Sequence, residues 1–80
     1  MNETIIGIIK EIKPYEQISE NTELIESGIL DSLSILSLVA QLEEVFEVEI
    51  SEDAITAKNF VTIPNIVQLI GESKKTESER

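Results

Sequence analysis

The stretch from residue 32 to residue 47 constrains the fold most, because its apolar residues repeat with the period of an α-helix. Side chains three or four positions apart share one face of a helix, and six large apolar residues of this stretch do so. They are Ile35, Leu38, Val39, Leu42, Val45 and Phe46. Asp31 stands directly before them, where a carboxylate accepts the free amide protons of a first helical turn. The sequence therefore predicts a helix over residues 32–47 with Asp31 as its N-cap.

Two further helices are predicted, one on each side of this stretch. In residues 3–13 four isoleucines share one face, and Pro14 ends the helix because the residue before a proline avoids helical angles. They are Ile5, Ile8, Ile9 and Ile12. Near the C-terminus, Thr62 is the predicted cap of a last helix, with Pro64 tolerated in its first turn. The apolar face of this last helix consists of Ile63, Ile66, Val67 and Ile70.

The connections between these helices complete the expected fold. Residues 14–30 form a connection longer than the usual ~4–6 residues, in which Gly28 is expected to take a positive φ. Its apolar residues, expected to anchor it to the core, are Leu24, Ile25, Ile29 and Leu30. A short helix is expected within residues 51–60. The sequence therefore predicts an all-α fold, a small four-helix bundle of three principal helices and one short helix. The folded domain is expected to cover residues 1–71, and residues 72–80 to form a polar tail that is frayed or disordered.

Two missing residue types exclude several chemistries. The 80 residues contain no Cys and no His, so there is no disulfide, no thiolate nucleophile and no zinc site of the usual ligands. The same absence removes the Ser-His and Cys-His pairs of acyl-transfer enzymes. The acidic run lacks the spacing of a calcium loop, and a solvated surface is expected there. This run consists of Glu47, Glu49, Glu52 and Asp53. We therefore expect no catalytic residue, no metal site and no enzymatic activity.

The charge restricts the partners. Sixteen acidic residues against 6 basic ones give a formal net charge of −10. Such a surface repels nucleic acid and anionic lipid, so the expected partners are proteins with basic patches. The apolar run from Ile5 to Ile9 is far shorter than the ~20 residues that span a bilayer, and the chain does not start like a signal peptide. We expect a monomer in the cytoplasm without stable membrane insertion.

The helix over residues 32–47 carries a second, smaller apolar surface opposite its core face. Its apolar members are Leu33, Leu36 and Ala40, and Glu43, Glu44 and Glu47 continue it toward the C-terminal end. Two interpretations remain open. Either the long connection covers Leu33 and Leu36, so that the helix is central, or this surface is an exposed docking patch. In a docking patch the apolar residues would supply affinity and the acids would steer a basic partner.

Ser32 is the first residue of this predicted helix. Serine is common at helix starts as a cap, but a hydroxyl there can also carry a phosphate, since free amides and the helix dipole stabilise an anion. No histidine is available to activate Ser32 as a nucleophile. Any chemistry at Ser32 must therefore be done by another enzyme that uses this chain as the acceptor. Ser34 and Ser37 are expected to face solvent.

Three stretches of the chain carry a family resemblance. They are Glu26-Ser27-Gly28-Ile29-Leu30-Asp31-Ser32-Leu33, then Leu38-Val39 with Leu42-Glu43-Glu44-Val45-Phe46, and then Asn59-Phe60-Val61-Thr62-Ile63. Together they resemble acyl carrier proteins, four-helix bundles whose second helix begins with Asp-Ser-Leu. The resemblance runs from about Leu24 to Ile70. Asp-Ser-Leu alone is a weak match, but the upstream glycine, the Glu-Glu-x-Phe pattern, the length and the acidity make it specific.

The resemblance implies a carrier with a covalent cofactor. Ser32, between Asp31 and Leu33, matches the serine to which a phosphopantetheinyl transferase attaches 4′-phosphopantetheine from coenzyme A with magnesium. The cofactor's thiol would carry acyl or aminoacyl groups as thioesters, from a loading ligase to downstream synthase or transferase enzymes. Residues that match the family's docking positions are the apolar Leu33, Leu36 and Ala40 and the acidic Glu43, Glu44 and Glu47. Residues 1–71 would then be the carrier domain.

Departures from the fatty-acid type point to another branch of the family. Ser34 and Ser37 stand where fatty-acid carriers usually have acids, and Leu30 before Asp31 is closer to discrete D-alanyl, polyketide or nonribosomal carriers. The pathway and the cargo stay open among fatty acid, polyketide, nonribosomal peptide and D-alanine chemistry. The alternative hypothesis is a small acidic helical interaction module that binds a basic partner. Ser32 would then be only a helix cap or a phosphorylation site.

Overall fold

The computed structural model describes residues 1–76, which form a small, mostly helical fold. The elements are helix α1 (Asn2–Ile12), helix α2 (Ser32–Phe46), strand β1 (Val48–Glu49), two 3-10 turns (Glu52–Ala54 and Ala57–Phe60), helix α3 (Ile63–Glu72) and strand β2 (Lys74–Lys75). The three principal helices are confirmed, with ends within one residue of those predicted for α1 and α2. The two 3-10 turns occupy the segment in which a short helix was expected. Over residues 1–76 the fold therefore has three α-helices and a small two-stranded sheet, and the four-helix bundle stays a prediction.

The ends of α1 and α3 follow from local chemistry. Lys13 follows α1, and its N–H donates to the carbonyl of Ile9 at 2.8 Å, after which Pro14 prevents another turn. At the start of α3, the side-chain oxygen of Asn65 accepts from the N–H of Thr62 at 3.2 Å and from its hydroxyl at 2.8 Å. These two bonds fix the N-cap residue that the sequence predicts.

A single cluster of buried apolar residues forms the core and includes members of all three helices. It consists of Ile5, Ile8, Ile9, Leu24, Ile29, Leu30, Ile35, Leu38, Val39, Leu42, Val48, Ile50, Phe60, Ile63, Ile66, Leu69 and Ile70. Ile12, Phe46 and Val67, predicted on core faces, are half-buried against this cluster. The predicted faces of α1, α2 and α3 are therefore confirmed in their central parts.

Two residues of α2 lie in environments opposite to those predicted. Val45, predicted in the core, is 50% exposed, because it lies at the edge of the apolar stripe in the last turn of the helix. Ser34, expected to face solvent, is only 8% exposed. Its position one turn before Leu38 places it at the border of the core face, and its N–H is satisfied by the Asp31 carboxylate. Ser37 is exposed, as expected.

The long connection before α2 is anchored at its centre. Leu24 is fully buried, and its N–H donates to the carbonyl of Val61 at 2.7 Å, just before α3. The N–H of Leu30 then donates to the carbonyl of Leu24 at 2.9 Å. Gly28 has a φ of 85°, as predicted for the turn between these anchors. The connection therefore leaves the core immediately before Asp31, so that α2 begins at the surface.

A short antiparallel pairing joins the segment after α2 to the segment after α3. Val48 pairs with Lys75 and Glu49 with Lys74, and the N–H of Thr76 donates to the carbonyl of Glu47 at 3.0 Å. Regular structure thus extends beyond residue 71, where the folded domain was expected to end. Residues 77–80 of the expected tail lie outside the described residues. In the part that is described, no helix combines the length and the apolar character needed to cross a membrane.

Candidate functional site

Ser32 is the first residue of α2 and is exposed at the helix N-terminus. Asp31 is the N-cap in an extended conformation, and its Oδ1 accepts from the N–H of Ser34 at 2.9 Å. This bond fixes the first turn while the Ser32 side chain stays outside it. The predicted cap and the predicted position of Ser32 are therefore both confirmed by the structure.

Asp31 keeps its charge over a wide pH range. Its pKa is lowered from the ordinary 3.8, first by the Ser34 backbone N–H, then by the Ser34 side chain, with a smaller contribution from the charge of Lys13. A carboxylate that accepts such a bond at a helix N-terminus also interacts favourably with the helix dipole. The residue before Ser32 is therefore anionic at neutral pH and orients the start of α2.

An open groove of about 300 Å³ begins beside Ser32. One side belongs to α2, with Ser32, Ile35 and Leu36. The other side belongs to residues 51–60, which contain the two 3-10 turns and are called the 3-10 segment, with Ile55 and Ala57. The lining is apolar apart from the serine, so the groove can accept a flexible, partly apolar group attached at Ser32. No site role is predicted from the sequence for Ile35, Ile55 or Ala57. Ile35 was predicted on the core face of α2, and Ile55 and Ala57 are two of the four apolar residues in the stretch 51–60, so nothing in the sequence distinguished them as groove residues.

The second apolar surface of α2 is not covered by the long connection. Leu33 is 77% and Leu36 57% exposed, and Ala40 is exposed as well. Glu44 and Glu47 are exposed beside them. The structure therefore brings these five residues to one accessible surface of α2, which is called the docking surface below.

Glu43, the sixth predicted docking residue, has a different environment. It is half-buried, and its Oε2 accepts from the backbone N–H of Ile50 at 2.9 Å. The sequence could not predict this bond, because the two residues are seven positions apart across the end of the helix.

Among residues 1–76 no three or more potential metal-ligating side chains lie close enough together to hold a metal ion.

Comparisons with known proteins agree on one family. Residues 3–70 match the family described as "Phosphopantetheine attachment site". D-alanyl carrier protein of Bacillus mycoides (strain KBAB4) is 33% identical over 67 residues, which cover 81% of this chain and 84% of that relative. D-alanyl carrier proteins of Bacillus cereus (strain B4264) and Bacillus anthracis (strain CDC 684 / NRRL 3495) are each 31% identical with the same coverage. No solved structure matches the chain significantly.

The helical fold and these matches define a carrier protein that bears a covalently attached 4′-phosphopantetheine arm. The chain belongs to the phosphopantetheine attachment family, and within the acyl carrier proteins it is closer to the D-alanyl type. The resemblance seen in the sequence is thereby confirmed. The matches support the carrier hypothesis rather than the alternative of a small acidic interaction module.

Proposed function

We propose that Ser32 is the residue to which the phosphopantetheine arm is attached. The observation that carries the proposal is the exposed Ser32 hydroxyl at the start of α2, between Asp31 and Leu33, within the matched residues 3–70. Attachment forms a phosphodiester between the serine oxygen and the phosphopantetheine phosphorus, as the pyrophosphate bond of coenzyme A breaks and 3′,5′-ADP leaves. The chain has no histidine, so a separate phosphopantetheinyl transferase must accept the serine proton.

Intact-mass measurement tests this assignment. The purified chain is incubated with coenzyme A, magnesium and a broad-range phosphopantetheinyl transferase, and should gain the mass of one phosphopantetheine group. Ser32→Ala should gain none. Ser37→Ala is the matched control, because Ser37 is also an exposed serine of α2, and it should gain the same mass as the wild type. A mass gain in Ser32→Ala would overturn the assignment.

The residues around Ser32 fit the arm. An arm attached there begins at the end of the groove, where Ile35, Leu36, Ile55 and Ala57 supply apolar contact. When bound, the group supplies the thiol that carries the cargo as a thioester, which the cysteine-free chain itself lacks. The chain's own residues bind and orient, and the reactions belong to its partners. In this proposal the protein is not an enzyme, and it works in the cytoplasm, where coenzyme A is available.

The cargo that we propose is D-alanine. The support is that the relatives are D-alanyl carrier proteins, together with Ser34 and Ser37 in place of the acids usual in fatty-acid carriers. The experiment incubates the phosphopantetheine-bearing protein with ATP, a D-alanine-activating ligase and an equimolar mixture of D-alanine and deuterated L-alanine. The expected product is a hydroxylamine-sensitive thioester that adds the mass of one unlabelled alanyl group, formed as AMP leaves the activated D-alanine. No adduct, or an adduct of L-alanine, would contradict this cargo.

The docking surface is the proposed contact for these enzymes. Its members are Leu33, Leu36, Ala40, Glu44 and Glu47, and all five are exposed. The leucines would enter an apolar depression on the partner, and the two acids would face basic side chains. A shuttle must release each partner, so weak and rapidly dissociating complexes are expected with the transferase, the loading ligase and the downstream acceptor enzyme.

A further inference from the structure

Glu43 differs from the other acids of α2 because its carboxylate has a backbone partner. Its Oε2 lies 2.9 Å from the N of Ile50, in a part-buried position. Ile50 itself is 5% exposed and belongs to the core cluster. This carboxylate therefore satisfies an amide at the edge of the core, where water has limited access and an unmade hydrogen bond is costly.

The bond is made where the groove-lining segment begins. After Ile50 the chain forms the two 3-10 turns. Of the groove-lining residues of this segment, Ile55 lies between the two turns and Ala57 begins the second. The hydrogen bonds recorded for residues 51–59 in the described chain stay inside that segment, including the one from the Asn59 amide to the carbonyl of Ala54 at 2.8 Å. The Glu43 bond to Ile50 therefore joins α2 to the residue directly before this segment.

Glu43 also lies on the same side of α2 as the site. Ser32, Leu36, Val39 and Glu43 are spaced by four, three and four residues, which places them along one side of a helix. Ser32 and Leu36 line the groove at one end of this row, and Glu43 bonds to Ile50 at the other. The groove at Ser32 and the Glu43 bond to Ile50 therefore lie on the same side of α2.

We propose that Glu43 is a positioning residue, which acts through Ile50 to set the groove side opposite Ser32, and that it is not one of the docking acids. The inference deepens the proposed function and rests on it, since it divides the acids of α2 by role. Glu44 and Glu47 are exposed and available to a basic partner. Glu43 presents its carboxylate to its own backbone.

Substitution of Glu43 by glutamine distinguishes a positioning role from a docking role. In Glu43→Gln the side-chain oxygen can still accept from the Ile50 amide, but the charge is gone. Glu43→Ala removes both. A positioning residue tolerates glutamine and not alanine, whereas a docking acid is impaired equally by both substitutions. Glu44→Gln is the matched control, because Glu44 is the adjacent acid of the same helix and is exposed.

Two measurements on the full chain test the inference. The first is hydrogen exchange of the Ile50 amide, referred to an amide in the middle of α2. Glu43→Ala should accelerate it by about tenfold, the factor of one ordinary hydrogen bond, and Glu43→Gln should leave it within about twofold. The second is the KM of the phosphopantetheinyl transferase for each variant. Glu44→Gln should raise this KM by about two- to fivefold, as expected for an exposed ion pair, and Glu43→Gln by less than about twofold.

The inference is overturned if Glu43→Gln raises the KM as much as Glu44→Gln does, or if Ile50 exchange in Glu43→Ala equals that of the wild type. Should Glu43→Ala fail to fold, the comparison of Glu43→Gln with Glu44→Gln still decides. Failure of the proposed function would look different. The wild type would then gain no phosphopantetheine mass, while the exchange measurement at Ile50 would still report on the Glu43 bond.

Discussion

Leu36 and Leu42 are chemically identical residues of α2 for which the same substitution is expected to have different consequences. Leu36 is 57% exposed on the docking surface, whereas Leu42 is completely buried. Leu36→Asp should leave the helical circular dichroism and the melting temperature nearly unchanged. It should weaken docking to a partner enzyme by about tenfold, because a buried leucine contact is worth up to about 1.5–3 kcal/mol.

Leu42→Asp should unfold the domain. An unpaired carboxylate in the core and the loss of the leucine would together cost about 4 kcal/mol or more, which approaches the total stability of a chain of this size. Thermal unfolding followed by circular dichroism compares the two variants directly. An equal loss of structure in Leu36→Asp would show that Leu36 belongs to the core and that the docking surface is wrongly assigned.

The cap at Asp31 gives a prediction about pH. Since its pKa is lowered by the Ser34 N–H, the charged cap stabilises the fold fully above the ordinary pKa of 3.8. This contribution is lost as the pH falls through the still lower pKa of the folded state. Asparagine caps a helix but does not titrate, so Asp31→Asn is the reference.

Urea unfolding of the wild type and of Asp31→Asn between neutral and acidic pH measures the effect. The difference in their free energies of unfolding should be constant near neutrality, and should shift against the wild type as Asp31 becomes protonated. The other acids titrate in both proteins and cancel in the difference. A difference independent of pH would show that the Asp31 carboxylate does not contribute as a charged cap.

At the scale of the elements, the helices could be predicted because each one carries its own signal. The apolar period of α2, the Asp31 cap and Pro14 after α1 are local features, and local rules sufficed for them. Because Asp31 is the predicted N-cap, the position of Ser32 at the start of α2 could also be predicted. Its exposure and that of Leu36 could not be predicted, because they depend on where residues 14–30 run.

Other features are set by tertiary contacts that leave little trace in a sequence. Strands of two residues, such as β1 and β2, are too short to show alternation, so their pairing was missed. The Glu43 bond to Ile50 arises only once the chain has turned back after α2. Val45 fits the helical period and is nevertheless exposed, because period identifies a face and does not show how far the neighbouring elements cover it.

The pairing of β1 with β2 gives a prediction for this scale. Deletion of residues 74–80 would remove the backbone partners of Val48 and Glu49 and the bond from Thr76 to the Glu47 carbonyl. With each such bond worth about 0.5–1.5 kcal/mol, the free energy of unfolding should fall by about 1–2 kcal/mol while the three helices remain. Urea unfolding and circular dichroism measure both quantities.

The control for this deletion keeps the backbone and changes only the side chains. Lys74→Gln with Lys75→Gln preserves the pairing and should have a much smaller effect than the deletion. If the deletion leaves the stability unchanged, the folded domain ends near residue 71, as the sequence analysis predicted. If the double substitution is as harmful as the deletion, the lysine charges and not the strand pairing stabilise this end.

For the whole molecule, the dominant property is its charge. The 80 residues carry a net charge of −10, and the part of the chain that the structure describes measures only 38 × 22 × 20 Å, so the acids repel one another across its surface. In the proposed function the same charge attracts basic partners to the docking surface. Steering toward partners would then be obtained at the expense of stability in the free protein.

Added salt should affect stability and partner association in opposite directions. Between about 0.01 and 1 M sodium chloride the screening length falls from about 30 to 3 Å, so self-repulsion should weaken and the melting temperature should rise. A relief of about 1 kcal/mol corresponds to a rise of about 4–8 °C for a domain of this size. Association with the transferase should slow over the same range, because screening also weakens electrostatic steering.

A variant with fewer acids distinguishes charge repulsion from a general effect of salt. Glu52→Gln with Asp53→Asn changes the net charge from −10 to −8, and both residues are exposed and are not members of the docking surface. This variant should melt at a higher temperature than the wild type at low salt and should respond less to added sodium chloride. Equal salt responses in the two proteins would show that repulsion among the acids does not limit stability.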